Sequence, residues 1–152
     1  MATGWRIIPS EHAANAFDGE GARLNGGRWN SQGVRMIYAS EHKSLAALEI
    51  LVHVNPRRPR PYTAFSLQWP DSLIDRRTVA QMPADWRQSP PGVSTARLGD
   101  AWARQSRSAV LAVPSILIPE EWNFLLNPAH PDFGKITIGP PQVFAFDPRL
   151  LV

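Results

Sequence analysis

The segment "LAALEILVHV" (45–54) carries a single carboxylate, Glu49, among apolar neighbours with helical spacing. At that position it either reaches water along the helix edge or is partly desolvated. Desolvation favours a neutral acid and a nearby cation favours a carboxylate, and groups perturbed in this way cluster at functional sites. Upstream, "LNGGRWNSQG" (24–33) presents Arg28 directly after two glycines. Glycines let an anion approach the backbone, and a guanidinium grips phosphate with a planar fork. The plainer reading is a hairpin turn with a surface arginine. Tyr38 ends a strand just ahead of the Glu49 helix and, taken alone, reads as a core aromatic with its hydroxyl at the surface. Ser115 follows Pro114 at a break in a buried apolar run and reads alone as a turn serine. It lacks the Gly-x-Ser-x-Gly setting of a hydrolase nucleophile.

Several chemistries are disfavoured. The chain has no cysteine, which removes disulfides, cysteine-bound zinc and a thiolate nucleophile. His12, His42, His53 and His130 show no metal-ligand spacing, so no metal is expected. There is no phosphate loop, and "GEGARL" (19–24) lacks the third glycine of a dinucleotide fingerprint, which argues against hydride transfer on a Rossmann domain. The net charge of +3 and a pI near 9.9 fit an anionic ligand: nucleic acid, nucleotide or acidic partner. No apolar run approaches the roughly 20 residues of a membrane span. The start "MATGWRIIPSEH" lacks the pattern of a signal peptide. A cytoplasmic protein without membrane contact is expected.

The elements that must position these residues are short. With 152 residues, 43% of them hydrophobic, the chain is expected to form a single domain over 1–152. The fold class is α+β: a compact mixed sheet of several short strands with a few helices. Strands are expected at Trp5–Ile8, Val34–Ala39, Tyr62–Gln68 and Ala109–Val113, with two more in "KITIGPPQVFAFD" (135–147). Arg28 to Asn30 is expected to begin a short strand after an Asn25-Gly26 turn. Ser40 is placed as the N-cap of a helix that ends at Asn55-Pro56, with Leu45, Leu48 and Val52 as its core stripe. Ser94 is expected to cap a second helix to about Gln105, turning Leu98, Ala101 and Trp102 inward. "EEWNFLLNPAHPDF" (120–133) reads as a helical turn and a loop, with structural roles for Asn127 and His130.

"GGRWNSQGVRMIYASEHKSLAALEILVH" followed by "VPSILIPEEWNFLLNPAHPDF" resembles the RES domain family, over nearly the whole chain from "GWRI" to "FAFDPRLL". Arg28 matches the family's arginine, Glu49 its glutamate and Ser115 its serine. Tyr38 matches the tyrosine before the helix, and Arg6, on a much shorter motif, an arginine near the N-terminus. The resemblance implies a bacterial toxin of a type II toxin–antitoxin pair, with a fold similar to ADP-ribosyltransferases. It also implies NAD⁺ as consumed substrate rather than prosthetic group. The implied partner is an Xre-like helix-turn-helix antitoxin, through which alone DNA would be met.

Such an enzyme breaks the nicotinamide–ribose bond. Nicotinamide is a good leaving group, and positive charge grows on the ribose in the transition state. A fixed carboxylate, Glu49, stabilises that charge and orients the incoming nucleophile. Arg28, with Arg6 as a second candidate, would hold the pyrophosphate. Tyr38 would stack on nicotinamide, and Ser115 would bond the ribose or aim Glu49. The acceptor stays open between water, inorganic phosphate and a protein side chain. The competing class is a nucleic-acid-binding or RNA-cleaving toxin, compatible with the pI, "PRRPRP" (56–61) and the six tryptophans.

Overall fold

Side chains on a strand alternate between faces, so a run that is apolar at every position needs cover on both sides. Residues 110–114 are such a run, and all are buried. They lie within a computed structural model that describes residues 1–152. In chain order the elements are β1 (Ala2–Pro9), α1 (Glu20–Asn25), β2 (Ile37–Ser40), α2 (Lys43–Leu51), β3 (Tyr62–Trp69) and β4 (Ile74–Arg76). Then come α3 (Val93–Gln105), β5 (Val110–Pro114), β6 (Trp122–Leu126), β7 (Thr137–Ile138) and β8 (Gln142–Phe144). The strands form one sheet in the order β4-β5-β6-β2-β1-β3-β7, and β7 and β8 share the outer edge of β3. Only β4 and β5 run parallel. The fold is therefore α+β, as the sequence predicts. No helix is long and apolar enough to cross a membrane.

The alternation sorts the core. Ile37, Ala39, Val110, Ala112, Phe124 and Leu126 pack on one face with Trp69. Met36, Leu111, Val113 and Leu125 pack on the other, under Trp29 and Trp102 of α3. On that second face α2 covers Ile7 and Ala64 through Ala46 and Ile50. The two helices thus cover the same face, α3 over β5 and β6 and α2 over β1 and β3. Gly99 allows α3 to approach closely: a Cβ there would stand 1.7 Å from the carbonyl oxygen of Trp29. Inside this contact Asp100 accepts the Ser31 N–H at 2.9 Å, which ties the loop after Trp29 to the helix.

Tertiary pairing overrides several local expectations. The segment 122–126 is a strand, because it pairs with β2 on one side and β5 on the other. Ser40 is no helix cap: it ends β2, and its hydroxyl bonds Asn123 instead. The helix begins at Lys43 behind His42 and stops at Leu51. Its expected stripe fails beyond Leu45, since Leu48 is 39% and Val52 58% exposed. The helix is rolled so that Ala46, Glu49 and Ile50 turn toward the sheet, where small residues permit close packing. Ser94 lies inside the first turn of α3 behind Gly92, and its hydroxyl bonds Asp85. Trp102 faces inward, but Ala101 is exposed while Asp100 is buried. Arg28 to Asn30 form no strand: Gly27 and Asn30 close a tight turn after α1, whose C-cap Gly26 has φ of 71°. Helix α1 and strand β4 have no counterpart in the sequence reading.

Candidate active site

Glu49 lies on the sheet-facing side of α2, opposite the ends of β5 and β6. Its Oε1 accepts two hydrogen bonds, from Ser115 Oγ at 2.7 Å and from Asn123 Nδ2 at 2.8 Å. Ser115 stands just past β5 and is fully buried. The chain turns there because Pro114 is followed by a loop whose N–H groups at Leu117 and Ile118 both donate to Ser115 Oγ, at 3.1 Å each. The serine thus holds the loop and the carboxylate together. With both lone pairs and its one proton engaged, its hydroxyl is no free nucleophile.

Arg28 is set on the turn between Gly27 and Asn30. Its Nη1 donates to the carbonyls of Trp86 (3.1 Å) and Gln88 (2.7 Å), in the proline-rich loop that precedes α3. Nε and Nη2 make no hydrogen bond within the protein, so two edges of the fork remain available. Partial burial lowers the Arg28 pKa, while Glu49 and then Tyr38 are close enough to act in the opposite sense. Arginine stays cationic at any physiological pH despite such shifts.

The hydroxyl of Tyr38 is engaged by the same turn. It donates to Asn30 Oδ1 at 2.5 Å and accepts the Trp29 N–H at 3.2 Å. Asn30 Nδ2 in turn donates to the carbonyls of Ala22, Ser31 and Val34. Burial pushes the Tyr38 phenol well above its ordinary range, so it remains neutral. A Cβ on Gly27 would lie 2.7 Å from this hydroxyl oxygen, so the glycine is needed for the tyrosine to reach the turn. Tyr38 and the turn therefore fix where Arg28 starts.

The structure joins Ser115 to Glu49 and Tyr38 to the turn that carries Arg28, whereas Arg6 reaches only the backbone carbonyl of Tyr38 and leaves its side chain on the opposite face. Arg6 is one residue out of phase with Trp5 and Ile7, which face α2. It donates through Nε to Ala16 O at 2.9 Å and through Nη1 to Tyr38 O at 2.8 Å, and its guanidinium lies over Phe17. Burial lowers its pKa to about 10, against the pull of Asp18. It ties backbone segments together from the opposite face. Asn127 and His130 likewise fasten a loop to the end of α3, through Ala103 O and Ser106 O. Glu41, His42 and Glu121 bring one potential ligand atom each within 4.8 Å of one another. His42 is bonded to Glu121 at 2.7 Å, and Glu41 Oε1 accepts the Trp122 N–H. Asn123 has no local mark as a site residue, because 120–133 reads from sequence as a helical turn and loop; its one signal is a lone amide inside the otherwise apolar run "WNFLL".

Fold and site together define a class, an α+β domain that gathers an arginine turn, a tyrosine and a serine-bound glutamate on one face of a single sheet. The fold is that of a chain in the crystal structure of the M. tuberculosis MbcT-MbcA toxin-antitoxin complex. That match has a TM-score of 0.78 at 17% identity and covers 99% of this chain and 86% of the other. The RES domain matches residues 3–147, and the chain belongs to the RES domain family. It is 37% identical over 153 residues to the Prs ADP-ribosylating toxin of Sphingobium sp. (strain YBL2), covering 97% of this chain and 95% of that one. It is 38% identical over 148 residues to a Toxin Res of Yersinia enterocolitica, covering 96% and 97% respectively.

Proposed function

We propose that this protein is the toxin of a toxin–antitoxin pair and consumes NAD⁺ in the cytoplasm, as one catalytic domain over 1–152. The observation that carries the reading is the Glu49 carboxylate, bonded to buried Ser115 with the Arg28 cation close by, in a chain that belongs to the RES domain family. The similar Sphingobium protein is named as an ADP-ribosylating toxin, and that chemistry starts from NAD⁺.

The residues divide the work. The unpaired edges of Arg28 bind the pyrophosphate by charge-assisted hydrogen bonds. Tyr38 presents its ring edge to nicotinamide while its hydroxyl holds the Arg28 turn. The bond from ribose C1′ to the nicotinamide nitrogen breaks, and its electron pair leaves with nicotinamide. Glu49 faces the resulting cationic ribose and stabilises it electrostatically. The acceptor oxygen or other nucleophile then bonds to C1′, and any proton it carries passes to Glu49 or to solvent. Ser115 aims Glu49 rather than binding ribose, since its hydroxyl is buried and fully engaged. Arg6 supports the strand of Tyr38 and does not touch substrate. The partner is an antitoxin of the Xre-like helix-turn-helix kind, through which the complex meets DNA.

The test is product analysis. Purified protein is incubated with NAD⁺ alone, with inorganic phosphate, and with a cell lysate. NAD⁺ loss is expected, with free ADP-ribose, ADP-ribose-1″-phosphate or labelled protein identifying water, phosphate or a protein as acceptor. Intact NAD⁺ in all three mixtures overturns the reading.

A further inference from the structure

The register places Val113, Asn123, Ser40, Trp5 and Ser66 side by side on β5, β6, β2, β1 and β3. Directly paired residues point to the same face of a sheet, and here that is the face beneath the helices. Within this row Ser40 donates to Asn123 Oδ1 at 2.7 Å, and Asn123 Nδ2 donates to Glu49 Oε1 at 2.8 Å. Ser40 is only 3% exposed. A chain of hydrogen bonds thus runs from the middle strand of the sheet to the carboxylate.

The proton count in this chain fixes every direction. Ser115 Oγ has two acceptor sites, both taken by backbone N–H groups, so its single proton points at Glu49 Oε1. Asn123 reversed would set Oδ1 against Oε1, acceptor facing acceptor. The amide nitrogen must therefore face Glu49, and the amide oxygen is left to receive the Ser40 proton. Both donors converge on Oε1. Oε2 has no partner within the protein.

Resting on the NAD⁺-consuming reading, we infer that Asn123 is a positioning residue that, with Ser40 orienting its amide, anchors Glu49 by Oε1 and leaves Oε2 as the oxygen that meets the ribose cation. A carboxylate pinned through one oxygen keeps the other in a fixed direction with no rotation about its terminal bond. Geometry of this kind acts on the transition state more than on ground-state binding. Asn123 touches no substrate in this arrangement, and its effect passes wholly through Glu49.

The test compares the full-length parent with Asn123→Ala, Ser40→Ala and Ser40→Thr, each checked for a native circular dichroism spectrum. NAD⁺ consumption is measured over a range of NAD⁺ concentrations. Asn123→Ala is expected to lower kcat by about tenfold to a hundredfold while KM stays within about twofold, the signature of a misaimed carboxylate that stabilises the transition state less well. Ser40→Ala should lose less, in kcat again, and Ser40→Thr, which retains a hydroxyl, should recover most of that loss. An Asn123→Ala enzyme with parental kcat, or one whose loss lies wholly in KM, overturns the inference. A second arm needs no turnover: the side-chain amide protons of Asn123 are followed by NMR in the parent, Glu49→Ala and Ser40→Ala. Both substitutions should shift them and speed their exchange, and an unchanged signal in Glu49→Ala refutes the relay. A parent that leaves NAD⁺ intact sinks the proposed function instead, and the amide signals then decide the relay by themselves.

Discussion

The Glu49 corner and the Arg28 turn are built by opposite means. At the corner, one donor from β6 and one from the loop after β5 converge on a single carboxylate oxygen. Charge is concentrated there and its direction is fixed by side chains. At the turn, the backbone is shaped first: Gly27 makes room, Tyr38 and Asn30 clamp the peptide groups, and Arg28 extends from a prepared base. One nitrogen of that arginine holds the loop before α3, and the rest of the fork is open. A rigid carboxylate suits a charge that exists only in the transition state, whereas a cation with free edges suits an anion present throughout. The corner should therefore govern turnover and the turn should govern binding.

The largest effect that can break this division, after loss of Glu49 itself, is Ser115→Ala. It removes a donor to the carboxylate and orphans two N–H groups, so kcat should fall by roughly a hundredfold and stability by about 1–3 kcal/mol. Chemical denaturation read beside steady-state kinetics separates the two losses, and parental kcat would detach Ser115 from the chemistry. Arg28→Lys comes next. A lysine keeps the charge but loses the fork, so KM for NAD⁺ should rise about tenfold with a smaller change in kcat. A pure kcat loss would move the arginine into the corner's role.

Tyr38→Phe sharpens the comparison further. It keeps the ring but releases the turn, so KM should rise severalfold and stability should drop by about 1 kcal/mol, measured by titration with NAD⁺ and by melting. The smallest effect lies outside both regions, at His42. Its bond to Glu121 raises its pKa above the ordinary value, with burial opposing. A raised folded pKa means stabilisation fully present below the unfolded pKa of about 6.5 and lost as pH rises through the folded value. His42→Gln should therefore lower Tm slightly near pH 6 and match the parent well above neutrality. A difference that grows with pH contradicts the ion pair.

How much could be read in advance differs between the same two regions. Strands whose own residues settle them, such as 62–69 and 110–114, were legible from alternation or from continuous apolarity. Strand 122–126 was not, because its pairing on both edges comes from residues distant in sequence. Without that pairing Asn123 carries no local mark as a site residue, and Ser40 reads as a helix cap. Glu49, Arg28, Tyr38 and Ser115 stand out by local spacing and a family resemblance, and a bond from Ser115 to Glu49 is one of the two roles that resemblance offers; the bonds of Arg28 and Tyr38 have no sequence signal. Arg6 shows the limit: a short family-like motif points to it as a ligand, but strand phase turns it to the other face. The roll of α2 was hidden too, since Leu48 and Val52 are as apolar as Leu45 and only packing tells them apart.

The most direct test follows nicotinamide release from NAD⁺ by the parent and by Glu49→Gln, with NAD⁺ binding to each measured by calorimetry. Steady release by the parent is expected. Glu49→Gln should bind NAD⁺ within severalfold of the parent and release nicotinamide about a thousandfold more slowly, or slower still. Equal release by the two proteins, or none from the parent, would contradict this reading.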